Sequence, residues 1–274
     1  MKSKIINTKL TDSQIGIFYL GQVGFIIKYN NKYIMIDGYL SDYVDRNCCS
    51  ENVKWVRRYP APINAEDLDF IDYVLCTHSH FDHADPDTLS KLAEINTKAQ
   101  FIVPKAIVST ISSYGINADR IISVSDGENI SLDDTISATG IKAAHEDFHV
   151  DDNGDYLEMG FVIKLGDTKI FHAGDGCPYN GLDKAVFGCD IMMLPINGRD
   201  YYRTQVQDII GCFDSREAAI LASDAKAKLL IPTHFDLYDV NCVNPAQFVD
   251  VLKTINPMQA FHMFTPGELY IYQI

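Results

Sequence analysis

The sequence predicts an α/β (α+β) fold in which β-sheets are covered by helices. Short apolar runs of strand-like composition recur along the chain, and neighbouring runs are joined by brief polar turns that are typical of hairpins. Helical segments are dispersed between these strands, as expected for helices that cover sheets. Hydrophobic residues make up 47% of the 274 residues and charged residues 22%, so a sizeable core can form. No linker or low-complexity segment divides the chain, and we predict one domain over residues 1–274.

In the first half of the chain, strands are predicted where β-branched and aromatic residues form short runs bounded by turn residues. These strands span residues 15–20, 23–29, 32–37, 71–77 and 100–103. A helix is predicted over residues 86–95, because Asp85 can cap its N-terminus and Pro86 suits the first turn. A second helical candidate covers residues 105–114.

The second half of the chain contains a similar series of elements. Helices are predicted over residues 215–225 and 245–254, which follow the capping residues Asp214 and Asn244. The predicted strands span residues 136–144, 159–165, 169–172, 190–195, 228–233 and 260–264.

An internal repeat links the two halves. The pentapeptide GFIIK at residues 24–28 recurs as GFVIK at residues 160–164. Each copy is followed by a polar turn and a second apolar strand, and these second strands lead to Asp37 and to Asp175. The repeat predicts two related halves, at about residues 15–135 and 136–264.

Residues 78–83 read H-S-H-F-D-H and directly follow an apolar strand-like run. Histidine is the commonest protein ligand for transition metals, and only 8 of the 274 residues are histidine, so three in this segment indicate a metal site. His78 and His80 point to the same side of an extended segment and can bind one ion together. Asp82 and His83 follow as the chain turns, which predicts a second ion beside the first.

The remaining ligands are expected at the ends of other strands, where loops on a rigid scaffold carry function. His145, Asp175 and His234 each come as the first ionisable residue after an apolar run. His149 could replace His145, although it precedes a polar turn. The predicted partition gives one ion His78, His80 and His145, gives the other Asp82, His83 and His234, and places Asp175 between them.

Composition excludes several classes of partner. The formal net charge of −14 argues against nucleic acid, whose binding depends on Lys and Arg. No apolar run reaches the length of about 18 residues that a membrane span needs, and no signal-like segment opens the chain. The seven cysteines contain no C-x-x-C pair, so a disulfide framework and a structural zinc site are not indicated. We therefore predict a cytoplasmic protein without a membrane partner.

Asp37, the H-x-H-x-D-H run at 78–83, His145, Asp175 and His234, in this order, resemble the five motifs of the metallo-β-lactamase superfamily. The resemblance covers about residues 15–264. It implies a four-layer αββα sandwich, in which two sheets pack face to face with helices outside. It also implies two bound metal ions, and a supporting structural role for Asp37.

Finer details resemble the L-ascorbate-6-phosphate lactonase branch of that superfamily. They are A-A-H-E at 143–146, H-A-G-D at 172–175, L-P-I-N-G-R-D at 194–200 and I-P-T-H-F-D at 231–236. This resemblance implies a cytosolic, homo-oligomeric lactonase of carbohydrate metabolism that uses manganese or zinc, with iron as a further candidate. Its substrate would be a small anionic sugar-acid lactone.

The expected chemistry is hydrolysis by a water molecule that two metal ions activate to hydroxide. Asp82 or Asp175 could carry the proton, and the sequence does not choose between them. An anionic substrate in an acidic protein calls for local arginines, because the planar guanidinium binds two oxygens at once. The candidate substrate contacts are Asn197, Arg199 and Arg203 first, and Arg57 and Arg58 second.

Three other functions remain open at this stage. The same fold and ligands could hydrolyse a phosphodiester or another ester. A diiron oxidoreductase is less favoured, because such proteins usually have a glutamate at the position of His80 and a following flavin domain. A non-catalytic metal-binding protein is also less favoured, because such relatives normally lose ligands, whereas this chain has the full set.

Overall fold

The computed structural model describes residues 1–274 and contains two sheets of seven strands each. In chain order the strands are β1 (Gln14–Gly21), β2 (Gly24–Tyr29), β3 (Lys32–Ile36), β4 (Tyr73–Leu75), β5 (Gln100–Pro104), β6 (Ile121–Val124), β7 (Asn129–Ser131), β8 (Ile136–Lys142), β9 (Met159–Leu165), β10 (Thr168–His172), β11 (Ile191–Pro195), β12 (Leu229–Thr233), β13 (Ala260–Phe261) and β14 (Leu269–Gln273).

Eight helices accompany the sheets, and none of them has both the length and the apolar composition to cross a bilayer. The predicted caps of three helices form as expected: Asp85, Asp214 and Asn244 each accept a backbone N–H from the first turn. The helices are α1 (Lys2–Asn7), α2 (Tyr43–Asn47), α3 (Pro86–Ile95), α4 (Val108–Ser113), α5 (Leu182–Ala185), α6 (Tyr201–Val206), α7 (Ser215–Asp224) and α8 (Pro245–Ile255).

The two sheets have the same internal pattern. The first has the order β14-β1-β2-β3-β4-β5-β6, and the second has the order β13-β12-β11-β10-β9-β8-β7. In each sheet an antiparallel part, which contains the hairpin β2–β3 or β9–β10, adjoins a parallel part. The hairpins that carry the GFIIK and GFVIK repeats thus occupy equivalent places. The division into two related halves stays a prediction.

The core is arranged in layers, because most strands bury both faces. Ile17 and Tyr19 of β1 face a central cluster that also contains Phe161 and Ile231 from the second sheet. Phe18, between them in sequence, faces an outer cluster under α3 and α4. A third cluster packs the other face of the second sheet against α7 and α8. The predicted αββα four-layer sandwich is confirmed.

The structure differs from the sequence prediction at several segments. The helix predicted over residues 105–114 is a 3₁₀ turn, Lys105–Ile107, followed by α4. Strands β6, β7 and β14 were not predicted: β7 is short and polar, whereas β6 and β14 are short apolar runs that the prediction passed over. The strand predicted over residues 71–77 is shorter, since the chain leaves the sheet after Leu75. That early exit frees the following residues to form the candidate site.

Candidate metal centre

The seven predicted ligands lie together at one end of the two sheets. Two groups of side chains have ligand atoms within 4.8 Å of one another. Asp175 belongs to the first group, and its carboxylate also reaches the second, because its oxygens lie 3.1 Å from His83 Nε2 and 3.3 Å from His234 Nε2. The groups are His78, His80, His145 and Asp175, and Asp82, His83 and His234.

The first group consists of three imidazoles around a shared space. The ring centroids of His78 and His80 are 4.6 Å apart, and those of His80 and His145 are 5.1 Å apart. His78 and His80 come from the loop after β4, whereas His145 follows β8 in the other sheet. Two sheets therefore contribute to one site, which no local segment of the chain could build alone.

Asp37 fixes the loop that carries the histidines. It ends β3 in the left-handed region, with φ of 44°, and its carboxylate is fully buried. One oxygen accepts the backbone N–H of Thr77 at 2.8 Å, and the other accepts the Thr77 hydroxyl at 2.7 Å and His83 Nδ1 at 2.9 Å. A carboxylate can only accept, so the hydrogen lies on Nδ1 of His83 and the Nε2 atom faces the site. The structure thus places Asp37, which was predicted to support the site, in contact with Thr77 and His83 of the histidine loop.

The buried polar atoms test whether metal ions fit here. Nε2 of His78 and a ring nitrogen of His145 are buried and have no hydrogen-bond partner in the protein. Nε2 of His83 and Oδ1 of Asp175 are also buried, and they lie 3.1 Å apart without the geometry of a hydrogen bond. Unpaired buried polar atoms are costly and rare in native proteins. Imidazole nitrogens and a carboxylate oxygen are the donors that zinc, manganese and iron take. The residues therefore fit divalent metal ions.

Charge supports the same conclusion. Burial lowers the pKa of His78 well below its usual value and that of His145 to about 4, so both rings are neutral at pH 7 and have a free lone pair. Burial also opposes protonation of His83 and His234, but the neighbouring carboxylates, Asp175 foremost, outweigh it and raise both pKa values. Without metal, protons on His83 and His234 thus balance the charge of carboxylates that bound divalent cations would otherwise balance.

Gln22 belongs to the site and was missed by the sequence prediction. It is buried in the turn between β1 and β2, with φ of 58°. Its Nε2 atom donates to Asp82 Oδ2 at 2.9 Å and lies 3.0 Å from His234 Nε2. Its backbone carbonyl accepts the N–H of His234 at 2.8 Å. The sequence feature that could have indicated Gln22 is a single amide side chain at the turn of an otherwise apolar hairpin.

Cys212 also lies beside the centre. Its thiol falls within 4.8 Å of ligand atoms of Asp175 and His234. The Cys212 side chain is fully buried, and burial raises the pKa of its thiol well above its usual value. It packs as a small side chain beside the two ligand groups.

A cavity of about 220 Å³ opens over the centre. Its floor is formed by His80, Asp82, His145, Asp175 and His234. Seven of its fourteen lining residues are hydrophobic, and no lysine or arginine lines it. The volume corresponds to roughly seven molecules of liquid water. A small molecule, or one end of a larger one, would fit above the ligands.

The four arginines proposed as substrate contacts lie outside this lining. The Arg57 guanidinium donates to the backbone carbonyls of Tyr39 and Ser41 at 3.2 and 2.6 Å, and it stacks on the ring of Tyr39. Arg58 is exposed and pairs with Asp239 at 3.3 Å. Both guanidiniums are engaged by neighbouring protein groups rather than by the cavity.

Arg199 and Arg203 are similarly engaged. Arg199 pairs with Glu217 and donates to the carbonyl of Cys212 at 2.6 Å. Arg203 pairs with Asp200 and donates to Asn241 Oδ1 at 2.9 Å. Glu217, the Cys212 carbonyl and Asn241 come from other segments of the chain, so the sequence did not show that they would be near, whereas Asp200 lies three residues before Arg203.

Asn197 is buried behind the cavity, and its Nδ2 donates to Asn241 Oδ1 at 3.0 Å. Asn241 itself lines the cavity, as does the buried Tyr238. The sequence prediction missed both residues. The I-P-T-H-F-D motif ends shortly before them, and nothing in their own neighbourhood marks them as site residues.

The remaining histidines lie outside the two groups. His149 is exposed and bonds Glu158 at 3.3 Å, so it does not compete with His145. His172 is buried and bonds the carbonyl of Val23 at 2.8 Å.

Comparisons with known proteins agree with this geometry. A family model described as "Beta-lactamase superfamily domain" matches residues 34–235. A protein of Caldivirga maquilingensis named a UPF0173 metal-dependent hydrolase is 23% identical over 256 residues, which cover 92% of this chain and 95% of that protein.

Two solved structures illustrate the likeness in fold. A possible metal-dependent hydrolase from Veillonella parvula superposes with a TM-score of 0.75 at 15% identity, covering 95% of this chain and 99% of that chain. CmlA, a diiron β-hydroxylase from Streptomyces venezuelae, superposes with a TM-score of 0.68 at 14% identity, covering 97% of this chain and 55% of that chain. At such identities these structures show the shared fold alone.

Proposed function

The chain belongs to the Beta-lactamase superfamily domain family, and we propose that it is a metal-dependent hydrolase that cleaves a carboxylic ester or lactone bond in a small molecule. One observation carries the proposal: unpaired buried ligand atoms converge in two adjacent groups beneath a cavity. Relatives named metal-dependent hydrolases, such as the Caldivirga maquilingensis protein, support it. The narrower resemblance to the L-ascorbate-6-phosphate lactonase branch supports a lactone and stays a prediction.

The proposal includes a place for each of two ions. His78, His80, His145 and Asp175 would hold one ion, and Asp82, His83 and His234 the other, with Asp175 shared. Bound divalent ions would supply a water molecule of lowered pKa and polarise the bond to be cleaved. Manganese, zinc and iron all suit this donor set, and we favour zinc or manganese.

Asp82 is the better candidate to carry the proton. Its side chain is 19% exposed and lines the cavity, whereas that of Asp175 is 7% exposed. Both oxygens of Asp175 face histidines, at 3.1 Å and 3.3 Å. Gln22 holds Oδ2 of Asp82, which leaves the other oxygen to accept a proton from water and pass it to the leaving group.

The charge of the chain supports a small-molecule substrate. A formal net charge of −14 and a cavity without lysine or arginine disfavour a nucleic acid. A phosphodiester substrate is the second candidate, but it gains no contact from the lining. Homo-oligomerisation and a cytoplasmic location stay predictions.

The test is a hydrolysis screen of protein loaded with Zn²⁺ or Mn²⁺, with metal content measured on the same samples. The panel contains aryl esters, lactones and phosphodiesters. Metal-dependent cleavage of an ester or lactone is expected. Absence of cleavage with both ions bound would overturn the proposal, and so would oxygen consumption by the iron-loaded protein without any hydrolysis.

A further inference from the structure

We propose that this cavity selects uncharged substrates that carry an alkyl or aryl group and excludes those with a phosphate or carboxylate on that group. The inference rests on the proposed hydrolase function, and it reverses the anionic substrate expected from the sequence. It follows from two features of the lining: its apolar walls, and the negative charge of Asp208, the one charged residue outside the proposed ligand set. A neutral amide in the lining agrees with it.

Apolar side chains from separate segments form the walls. Val44 comes from α2, Phe81 from the histidine loop, and Ile209 and Ile210 from the segment after α6. Trp55 adds a half-buried indole, which packs edge-on against Tyr238 with ring centroids 5.3 Å apart. Phe81 and Ile210 are 37% and 40% exposed, which places large apolar surfaces in contact with solvent around a concave site. Such surfaces favour an apolar ligand group, which would cover them.

The charge of the lining is negative. Apart from the ligand set, Asp208 is the charged residue among the fourteen lining residues. It stands in the left-handed region with φ of 55°, and its exposed side chain forms no ion pair or hydrogen bond within the protein. The nearest candidates to offset an anion, Arg57 and Arg203, are held by backbone carbonyls and by Asp200.

An anionic substituent would therefore have no favourable place. The metal ions are the cations of the site, and the group to be cleaved must occupy them. A second negative group on the same substrate would fall on the walls, beside aliphatic side chains and near the Asp208 carboxylate. There it would lose hydration without gaining a positively charged partner.

Another polar side chain of the lining is uncharged. Asn241 is buried, and its Oδ1 accepts from Asn197 and Arg203. These two donors fix the orientation of the Asn241 amide, so its Nδ2 is left to donate. One neutral amide donor suits an uncharged carbonyl or ether oxygen and does not offset the charge of a carboxylate or phosphate.

Binding can be measured apart from hydrolysis, because Trp55 is the single tryptophan of the chain and lines the cavity. Its fluorescence is titrated with butyrophenone and with 3-benzoylpropionate. The two molecules are the same except that the terminal methyl group of butyrophenone is a carboxylate in 3-benzoylpropionate. Because the carboxylate of 3-benzoylpropionate can itself bind the metal ions, the ratio of the two dissociation constants is compared between the wild-type protein and Asp208→Lys, both metal-loaded. Asp208→Lys is expected to shift this ratio toward the carboxylate by at least about tenfold, the size of effect that a change of charge near a surface can produce. A ratio that Asp208→Lys leaves unmoved would overturn the inference.

Kinetics on matched esters separates the two proposals. The substrates are p-nitrophenyl butyrate and mono-p-nitrophenyl succinate, and kcat/KM should be higher for the neutral butyrate. Asp208→Asn should lower the ratio of the two kcat/KM values, butyrate over succinate, by about threefold, and Asp208→Lys should lower it further. Asp250→Asn, which changes an exposed aspartate of α8, is the matched control and should leave the ratio unchanged.

The outcomes are distinguishable. Cleavage with a preference for the succinate ester, or a ratio that Asp208→Lys leaves unmoved, would refute the substrate class and leave the hydrolase function standing. A ratio of dissociation constants that shifts with Asp208→Lys, without cleavage of any ester, lactone or phosphodiester of the panel, would retain the selectivity for uncharged ligands and refute the hydrolase.

Discussion

Asp37→Asn should separate the stability of the fold from the binding of metal. The wild-type carboxylate accepts from Thr77 N–H, from the Thr77 hydroxyl and from Nδ1 of His83, at distances between 2.7 and 2.9 Å. Asparagine keeps an oxygen that can still accept the Thr77 N–H. Its NH₂ group, however, now faces His83 Nδ1, and two donors cannot bond each other.

The local solution is a change of tautomer in His83. If Nδ1 accepts from the amide NH₂ that the substitution introduces, the hydrogen moves to Nε2, which is the atom that faces Asp175 and the second ligand group. A protonated Nε2 cannot coordinate an ion. Loss of such a supporting partner typically costs about 10–100-fold in metal affinity, which is about 1.4–2.7 kcal/mol. The hydrogen-bond count is nearly kept, so the free energy of unfolding should fall by only about 1 kcal/mol.

A competitive titration against a chelating dye measures this prediction, because it resolves two ions of different affinity. Urea unfolding of the metal-free protein supplies the stability. Asp72→Asn is the matched control: Asp72 also accepts a backbone N–H next to a strand, from Tyr33 at 2.9 Å, but it takes no part in the ligand groups. If Asp37→Asn binds both ions with wild-type affinity, Asp37 does not orient His83. If Asp72→Asn weakens metal binding equally, general destabilisation explains the effect.

Three further predictions concern the same centre. His80→Ala and Asp175→Ala should each lose at least one ion by metal analysis and nearly all activity, and full loading of both variants would contradict the assigned ligands. Metal binding at pH 7 should release protons, because His83 and His234 have raised pKa values and bind ions only when deprotonated. Metal affinity should therefore rise with pH. Calorimetry in buffers of different ionisation enthalpy measures the release, and the same heat of binding in all buffers would contradict it. Gln22→Ala should lower kcat by about tenfold with metal content unchanged, because the proton-carrying carboxylate loses its orienting bond; an unchanged kcat would show that Gln22 only fills space.

The proximity of the proposed ligands could be predicted because each follows a strongly patterned strand. Buried strands read as apolar runs, and the first ionisable residue after such a run lies at that end of the sheet, where His145, Asp175 and His234 are found. The paired hairpins were visible for the same reason. Strand β14 was not predicted although Leu269–Tyr272 is an apolar run, because its partner β1 lies at the other end of the chain and nothing local shows the pairing.

The arginines predicted as substrate contacts lie outside the cavity lining, because charge does not specify the direction of a side chain. Arg57 and Arg203 have the right chemistry for an anion, but backbone carbonyls near them, and the Asp200 carboxylate beside Arg203, accept their hydrogen bonds. Which carbonyls are near is a property of the tertiary structure. The same holds for Asn241, which folding places in the cavity lining although no motif marks it.

The metal centre and the cavity wall are built from different parts of the fold, and this difference has a consequence. Asp37 and His234 stand at strand ends in left-handed conformations, locked by buried hydrogen bonds, so the ligands have little freedom to move. Asp208 and Ile210 lie on a surface segment between α6 and α7. Substitutions there can change which molecule binds without disturbing the ions, because no hydrogen bond of the ligand set passes through that segment. Substrate choice should therefore respond to changes near Asp208 while metal affinity stays constant, and a variant that altered both would show that the two parts are coupled.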